Sequence, residues 1–445
     1  MQRTDAGAAC FPLAELRHAV ETGIAHWLDR NGSGPDVLAA AHRWALSPPG
    51  KLMRPMALLA SAGAVGGRYD AVMPAAVGVE LAHVATLVHD DIIDGDGLRR
   101  GKVAAHRKFG TAHGVLAADS LFFALFQQVG ACRRSGVPDR CVLDAVEALG
   151  AAGQQTARGV AQEIALSGSL RELTGPADGG IAAYVEMVRL KSASLFRAAC
   201  HVGALLGGGS PEQTRVLAAY GEALGIAFQI RDDLLPYVSG GADGERRAGK
   251  PACSDLRNRR PALPVLLAHR LGGRAERAVL AELVEGTTDE HARQRRLSRL
   301  AGDTGALRAA RSMARAYVDR CHRALARVPA GADRDRLARL ADEVADTAYE
   351  DEDDGGDDGG GHDDDGGRRH GDGHGDGHGD GGHDGGHDGG GHDDGGHDDG
   401  GHDDGGHDDG GDDGGGHGRD RDPLAEAVTA TDPDPAAHGG DHRVP

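Results

Sequence analysis

The sequence predicts an all-α domain followed by a tail that does not fold. Three observations carry this reading. Apolar residues recur at helical spacing from about residue 10 to residue 348. No stretch alternates in the β-branched or aromatic manner of a strand. Between about residues 350 and 422 apolar side chains disappear, and the text becomes DEDDGGDDGGGHDDDGG and then repeated GGHDD.

The helices follow in order. In LAELRHAVETGIAHWLDR, Leu13, Leu16, Val20, Ile24, Trp27 and Leu28 fall on one helical stripe. Similar stripes recur at 75–93, 115–130, 140–167, 180–206, 212–235, 261–271 and 305–328. Abundant alanine and leucine favour helix. Turn residues mark the breaks: SPPGK at 47–51, GDG at 95–97, GGGSP at 207–211 and SGGADG at 239–244. The pattern amounts to roughly ten helices.

Charge separates the two parts. Residues 1–349 carry 44 Lys+Arg against 38 Asp+Glu, a net of +6. Residues 350–422 carry 27 acidic against 4 basic residues, a net of −23. The acidity therefore belongs to the tail, and the nearly neutral domain gives no reason to expect nucleic-acid binding. The expected organisation is one domain over 1–349 and a disordered tail over 350–445. Residues 350–422 have no apolar side chain to offset the entropy of ordering them, and PLAEAVTATDPDPAAHGGDHRVP is expected to be disordered as well, with LAEAV as a short docking segment the alternative. Six cysteines without a CxxC pair suit a reducing cytoplasm. The N-terminus lacks a signal-peptide layout. No apolar run approaches the roughly 20 residues of a spanning helix, so a soluble, cytoplasmic protein without a transmembrane segment is expected.

Residues 87–102 read LVHDDIIDGDGLRRGK. On a helix, Asp90 and Asp94 share a face, with Asp91 beside them. Two carboxylates on adjacent turns repel unless a cation lies between them, and Mg²⁺ suits oxygen ligands. Alone, DDIID is equally a solvated acidic helix end. It does not stand alone, because GIAFQIRDDLLP at 225–236 supplies a second pair, Asp232 and Asp233. Two such helices facing one another would form a cleft able to grip a diphosphate through metal. Arg99 and Arg100 suit phosphate, because a guanidinium fork bonds two oxygens. The chain holds five lysines against 44 arginines, and Lys51, Lys102, Lys191 and Lys250 lie in polar stretches beside helix ends.

At this point the sequence resembles the trans-isoprenyl diphosphate synthases, the polyprenyl synthetase family, from about residue 10 to 345. PPGKLMRP resembles GGKRxRP. ELAHVATLVHDDIID resembles ExxHxxSLxHDDxxD. RLKSASLF resembles the KTxxLF box, GIAFQIRDDLL resembles GxAFQxxDD, and GKPACSDLRNRRPALP resembles GKPxxxDLxxxKxTLP. Five motifs in one order are far more specific than any one of them.

The resemblance implies an isoprenoid synthase-type helical bundle around a central cavity, usually a homodimer. It implies Mg²⁺-assisted ionisation of an allylic diphosphate and attack on the resulting cation by isopentenyl diphosphate. Asp90 and Asp94 would bind metal with Asp91 assisting; Asp232 would do so from the facing wall with Asp233 assisting. Arg99, Lys191 and Lys250 would hold the allylic diphosphate. Lys51, Arg54, His83 and Arg100 would hold isopentenyl diphosphate. Ser192 and Gln229 would orient the surroundings of the cation. By themselves, His83 reads as a satisfied core histidine and Lys51 as a solvated loop cation.

Four positions depart from the family pattern. Pro236 stands where a third Asp is usual, Leu52 replaces an Arg, Val160 replaces a Gln in a box reading GVAQE, and Arg260 replaces a Lys. Weaker Mg²⁺ binding or slower turnover is the expectation.

In such a fold the product grows beside the helix that ends in Asp90, where each turn rises about 5.4 Å. Thr86 and Ala85, then Ala82, then Val79 would act as the chain-length ruler. None is aromatic, so products of twenty carbons or more are expected, with geranylgeranyl diphosphate first and a longer polyprenyl chain second. Phe122, Phe123 and Phe126 in SLFFALFQQ are either a floor from a neighbouring helix or ordinary core.

Thirteen of the 24 histidines lie at 362 or beyond. The tail is either solubilising filler or a loose binder of divalent metal or a partner protein. Two functions stay open: a working prenyl elongase, or a weakened synthase scaffold acting as a partner subunit or metal-binding protein. A class I terpene cyclase should show an NDxxSxxxE-like box, which is absent from the sequence.

Overall fold

The computed structural model describes residues 13–31, 36–168, 179–238 and 253–346. Lys250, the boundary expected at 349/350 and the whole Gly/Asp/His tail lie outside the described residues. The helices are α1 Leu13–Asn31, α2 Val37–Leu46, α3 Met53–Ala64, α4 Tyr69–Ile93, α5 Ala105–Phe109, α6 Thr111–Ala131, α7 Asp139–Leu166, α8 Gly179–Val188, α9 Ser194–Leu206, α10 Pro211–Val238, α11 Ser254–Arg257, α12 Leu263–Leu271, α13 Arg274–Glu285, α14 Glu290–Asp303, α15 Ala306–Leu325 and α16 Ala332–Asp346. The all-α expectation holds. The sequence stripes match α4, α6, α7, α10, α12 and α15 to within a few residues.

Capping fixes several helix starts. Asp36 accepts the Leu38 amide at 3.1 Å and opens α2. Asp289 accepts the amides of His291 and Ala292 and opens α14. Pro264 sits in the first turn of α12, where its missing N–H costs nothing.

The core forms around α4, which packs against α1, α3, α6 and α9. It is lined with Ala, Val and Gly, and nearly every face is buried. Second to it is α10, packed on α9 and α15. These two helices carry the two aspartate motifs.

Two expectations need correction. Helix Tyr69–Ile93 and the segment Thr111–Ser135 are long and apolar enough to cross a membrane, although the sequence reading found no such run. In the first, 72% of the apolar window is buried inside the protein, as in a core helix. The second expectation concerned the phenylalanines of α6. Phe123 is 71% and Phe126 38% exposed, so neither forms a floor within this chain. Only Phe122 turns inward, its ring 5.8 Å from that of His89.

Two features escaped the helical reading. LRRGKV forms a small hairpin in which Leu98–Arg99 pairs with Lys102–Val103. Its two-residue loop is Arg100–Gly101, with φ of 51° and 74°, the left-handed pair that a tight hairpin turn needs. Arg189–Ala193, between α8 and α9, is a π-helical turn. Such turns often mark functional sites.

Candidate active site

One face of α4 builds the first wall. His83, Thr86, Leu87, Asp90 and Asp94 follow helical spacing and line a single cleft. The facing wall is α10, which contributes Phe228, Gln229, Asp232 and Asp233. Between them stand Lys191 and Ser192 from the π turn, Leu195 from α9, Thr156 and Val160 from α7, and Arg54 and Arg99. Asp90, Asp94 and Asp232 thus meet across one space, as the two motifs implied.

Glycines make the π turn possible. A Cβ at Gly159 would lie 2.2 Å from the Lys191 amide nitrogen, and one at Gly225 would lie 2.6 Å from Ala193 Cα. Without side chains there, α7 and α10 close on the turn from both sides. Lys191 and Ser192 are thereby presented to the cleft.

Asp91 is not part of the metal wall. It is 2% exposed and accepts Arg99 Nε at 2.8 Å. Burial raises its carboxyl to about 6 although Arg99 works against the shift. Helical geometry explains the correction, because the residue after Asp90 points about 100° away around the axis. Asp233 is also engaged. It accepts Tyr184 Oη at 2.8 Å, Gln229 Nε2 at 2.8 Å and the Leu263 amide at 3.2 Å. Burial lifts it to about 7. Gln229 in turn accepts Ser192 Oγ at 2.6 Å. Asp233 therefore fixes the Gln229–Ser192 pair from behind, with both oxygens committed.

A second lobe opens beside the first. Arg17, Lys51, Arg54, Arg99 and Arg100 surround a cavity of about 640 Å³ together with Glu80 and His83. The lobes share Arg54, His83, Leu87, Arg99, Phe228 and Asp232. Arg100 Nη1 donates to Pro48 O at 2.9 Å and Arg17 Nη2 to Gly50 O at 2.8 Å, which ties the hairpin and α1 to the PPGK loop. Arg54 lies over the Phe196 ring at 4.2 Å and 3.3 Å from His83 Nε2. Burial, then Arg54, Arg100 and Arg99, hold His83 far below its usual range, so it is neutral. Burial lowers Arg54 to about 10 and also lowers Lys51. Glu80 is pushed up to about 7 by burial, against the pull of Arg100, Arg54 and Arg17.

The sequence matches the polyprenyl synthetase family over residues 35–300. That is more than half of the chain. It belongs to the polyprenyl synthetase family. A geranylfarnesyl diphosphate synthase of Aeropyrum pernix is 36% identical over 298 residues, covering 66% of this chain and 89% of the relative. A farnesyl diphosphate synthase of Geobacillus stearothermophilus is 34% identical over 259 residues, covering 58% and 83%. The crystal structure of a polyprenyl synthase from Caulobacter crescentus CB15, complexed with calcium and isoprenyl diphosphate, superposes with a TM-score of 0.66 at 32% identity. The match covers 75% of this chain and 96% of that one.

In this member of the family, the departures from the family pattern have distinct surroundings. Val160 is an apolar part of the cleft wall. Leu52 is buried at φ 56° in the cation lobe. Pro236 is buried within α10, and its carbonyl accepts Gln294 Nε2 at 3.4 Å. With no N–H, it also leaves the Asp232 carbonyl without its in-helix donor. Arg260 pairs with Asp94 and lies 3.4 Å from Glu163.

The carboxylates suit Mg²⁺ chemically, being hard oxygen donors on two walls. Among the described residues no three ligating groups cluster tightly enough to hold an ion alone. Mg²⁺ sites are commonly built from one or two carboxylates and completed by waters and substrate phosphates. Asp94 and Asp232 are each paired with an arginine, Asp232 with Arg231 at 2.5 Å.

Of the ruler residues, Thr86 lines the cleft, while Val79, Ala82 and Ala85 are buried in the core. The sequence reading missed Arg17, Glu80, Thr156, Glu163 and Tyr184. Glu80 and Glu163 lay inside quoted motifs and carried a signal. Arg17 and Tyr184 carried none, being one polar position on an amphipathic helix and one core aromatic.

Proposed function

We propose that the protein is a prenyltransferase that condenses isopentenyl diphosphate with an allylic diphosphate into an all-trans prenyl diphosphate of twenty or more carbons. The observation that carries this is the joined pair of lobes. One has carboxylates on two walls beside Lys191 and Arg99; the other is lined by five cations. Two diphosphate substrates fit side by side, with Asp232, Arg54, His83 and Arg99 at the boundary.

In this reading, Lys191 and Arg99 hold the allylic diphosphate. Lys191 is kept protonated: burial alone would lower it, but Asp90, Glu163 and Asp94 outweigh burial and hold it above the ordinary lysine range. Asp90, Asp94 and Asp232 would hold Mg²⁺, which would supply positive charge where the diphosphate leaves the allylic carbon. Lys51, Arg54, His83 and Arg100 hold isopentenyl diphosphate so that its double bond attacks the allylic carbon. A proton then leaves with the departing diphosphate. The Ser192 and Gln229 dipoles lie beside the position of the developing cation.

The expected test result is direct. Full-length protein incubated with isopentenyl diphosphate, an allylic diphosphate and Mg²⁺ should release pyrophosphate and form products of twenty carbons or longer. No product with any allylic primer overturns the proposal. Product length rests on the absence of an aromatic residue at 79, 82, 85 and 86, because the relatives' names span different chain lengths. We place the protein in a reducing, cytoplasmic compartment on its free cysteines, five of which are described. We also propose a homodimer, supported by the outward apolar row Val115, Leu116, Phe123 and Phe126 on α6.

A second reading makes the protein a weakened scaffold serving as a partner subunit or metal-binding protein. Pro236 and the thirteen histidines from 362 onward favour it. Imidazole and carboxylate in a Gly-rich chain would bind Zn²⁺ or Ni²⁺ weakly and lose it near pH 6 as histidine protonates. Removing residues 350–445 should abolish that stoichiometry. Unchanged metal stoichiometry and unchanged cellular partners would make the tail filler.

A further inference from the structure

Asp94 closes α4 at the end of the cleft, and its carboxylate is occupied by Arg260. The same guanidinium reaches a second acid through its other nitrogen, Nη1, which lies 3.4 Å from Glu163 Oε2. Glu163 already accepts Lys191 Nζ at 2.6 Å. The Arg260 and Glu163 side chains are only 10% and 13% exposed, and Arg260 Nε is buried without a partner.

The segment leading into Arg260 is anchored at two points. Asn258 Nδ2 donates to the Asp94 carbonyl at 3.1 Å, and the Gly168 amide donates to the Arg259 carbonyl at 3.2 Å. Asp94 and Glu163 therefore lie within reach of one guanidinium whose main chain has no need to move. A fork can touch both acids at once, which a lysine ammonium does less well.

A divalent cation and a guanidinium compete for the same Asp94 oxygens. Expelling the arginine into a nearly buried site without a new partner is costly. We propose that Arg260 competes with the divalent cation for Asp94, and that Glu163 is the acceptor that takes its guanidinium when the cation binds. Glu163 is then a positioning residue, acting on the metal site through Arg260. The proposal rests on the reading of Asp94 as a metal ligand.

The test uses the full chain at a fixed concentration of inorganic pyrophosphate. The readout is the Mg²⁺ concentration that gives half of the thermal stabilisation, with every variant carrying the same tail. Arg260→Gln should lower that concentration about fivefold, and Glu163→Gln should raise it about fivefold. In the Arg260→Gln background, Glu163→Gln should change it by less than about twofold. Plain long-range electrostatics predicts independent, additive effects instead. Glu163→Asp keeps the charge but draws the acceptor back, so it too should raise the Mg²⁺ requirement, and only while Arg260 is present. It serves as the test should Glu163→Gln fail to fold. An additive cycle, or no effect of Glu163→Asp, overturns the hand-over. If the wild type shows no stabilisation by Mg²⁺ and pyrophosphate, the metal reading falls with it.

Discussion

Arg99 Nε donates to Asp91 at 2.8 Å, and Asp91 is turned into the protein. The middle carboxylate of DDIID therefore positions a cation of the substrate lobes, while its neighbours Asp90 and Asp94 face the cleft. The hairpin makes this possible by returning the chain from the end of α4 over the Asp91 side.

Breaking this pair from the two ends should have unequal consequences. Arg99→Leu strands a buried carboxylate and should cost about 3 kcal/mol of stability. Asp91→Asn leaves a neutral acceptor for Arg99 and should cost about 1 kcal/mol. Urea midpoints of the two variants measure the difference. A larger loss for Asp91→Asn would contradict the assignment.

Glu80 should give stability a pH dependence. Its folded value of about 7 lies above the ordinary glutamate range. Stability is therefore fully present below the unfolded value and is lost as pH rises through about 7. Relative to Glu80→Gln, the wild type should lose about 2–3 kcal/mol between pH 5 and pH 8. Denaturation curves with parallel pH profiles for the two proteins would refute this.

Product length should respond most cleanly at Thr86, the ruler residue that lines the cleft. Thr86→Phe should shorten the product without a large loss of stability. Ala82→Phe and Ala85→Phe should also shorten it, but each forces a ring into a packed core at a cost of about 1–3 kcal/mol. Chromatography of dephosphorylated products, alongside melting temperatures, separates the effects. Unchanged length in all three variants removes the ruler.

The α6 row predicts assembly. Leu116 is 54% and Phe123 71% exposed. Leu116→Asp combined with Phe123→Asp should convert a dimer into a monomer in sedimentation experiments while leaving the helical signal intact. A wild type that is monomeric at micromolar concentration would refute the dimer.

The legible parts of this protein were those encoded locally. Leu13 to Leu28 repeat at helical spacing, and Asp90 and Asp94 lie four residues apart, so both a helix and a shared acidic face follow from geometry alone. The motif around Asp232 marked the second wall in the same way. The less legible parts involve contacts between distant segments. Arg17 joins the cation lobe only because α1 packs beside the PPGK loop. Tyr184 matters only because α8 brings its hydroxyl to Asp233. The small hairpin was hidden because its strands are two residues long, too short for any period.

The sequence by itself determined the helices, the order of the motifs, and which residues carry hydroxyl, carboxylate or cationic chemistry. Only the tertiary structure decided what each carboxylate does. It faces Asp90 into the cleft, sets Asp91 against Arg99, pairs Asp94 with Arg260, and uses Asp233 to hold Gln229. Identical side chains diverge in this way because burial and the nearest partner set a carboxylate's charge and reach, and both depend on segments far apart in the chain.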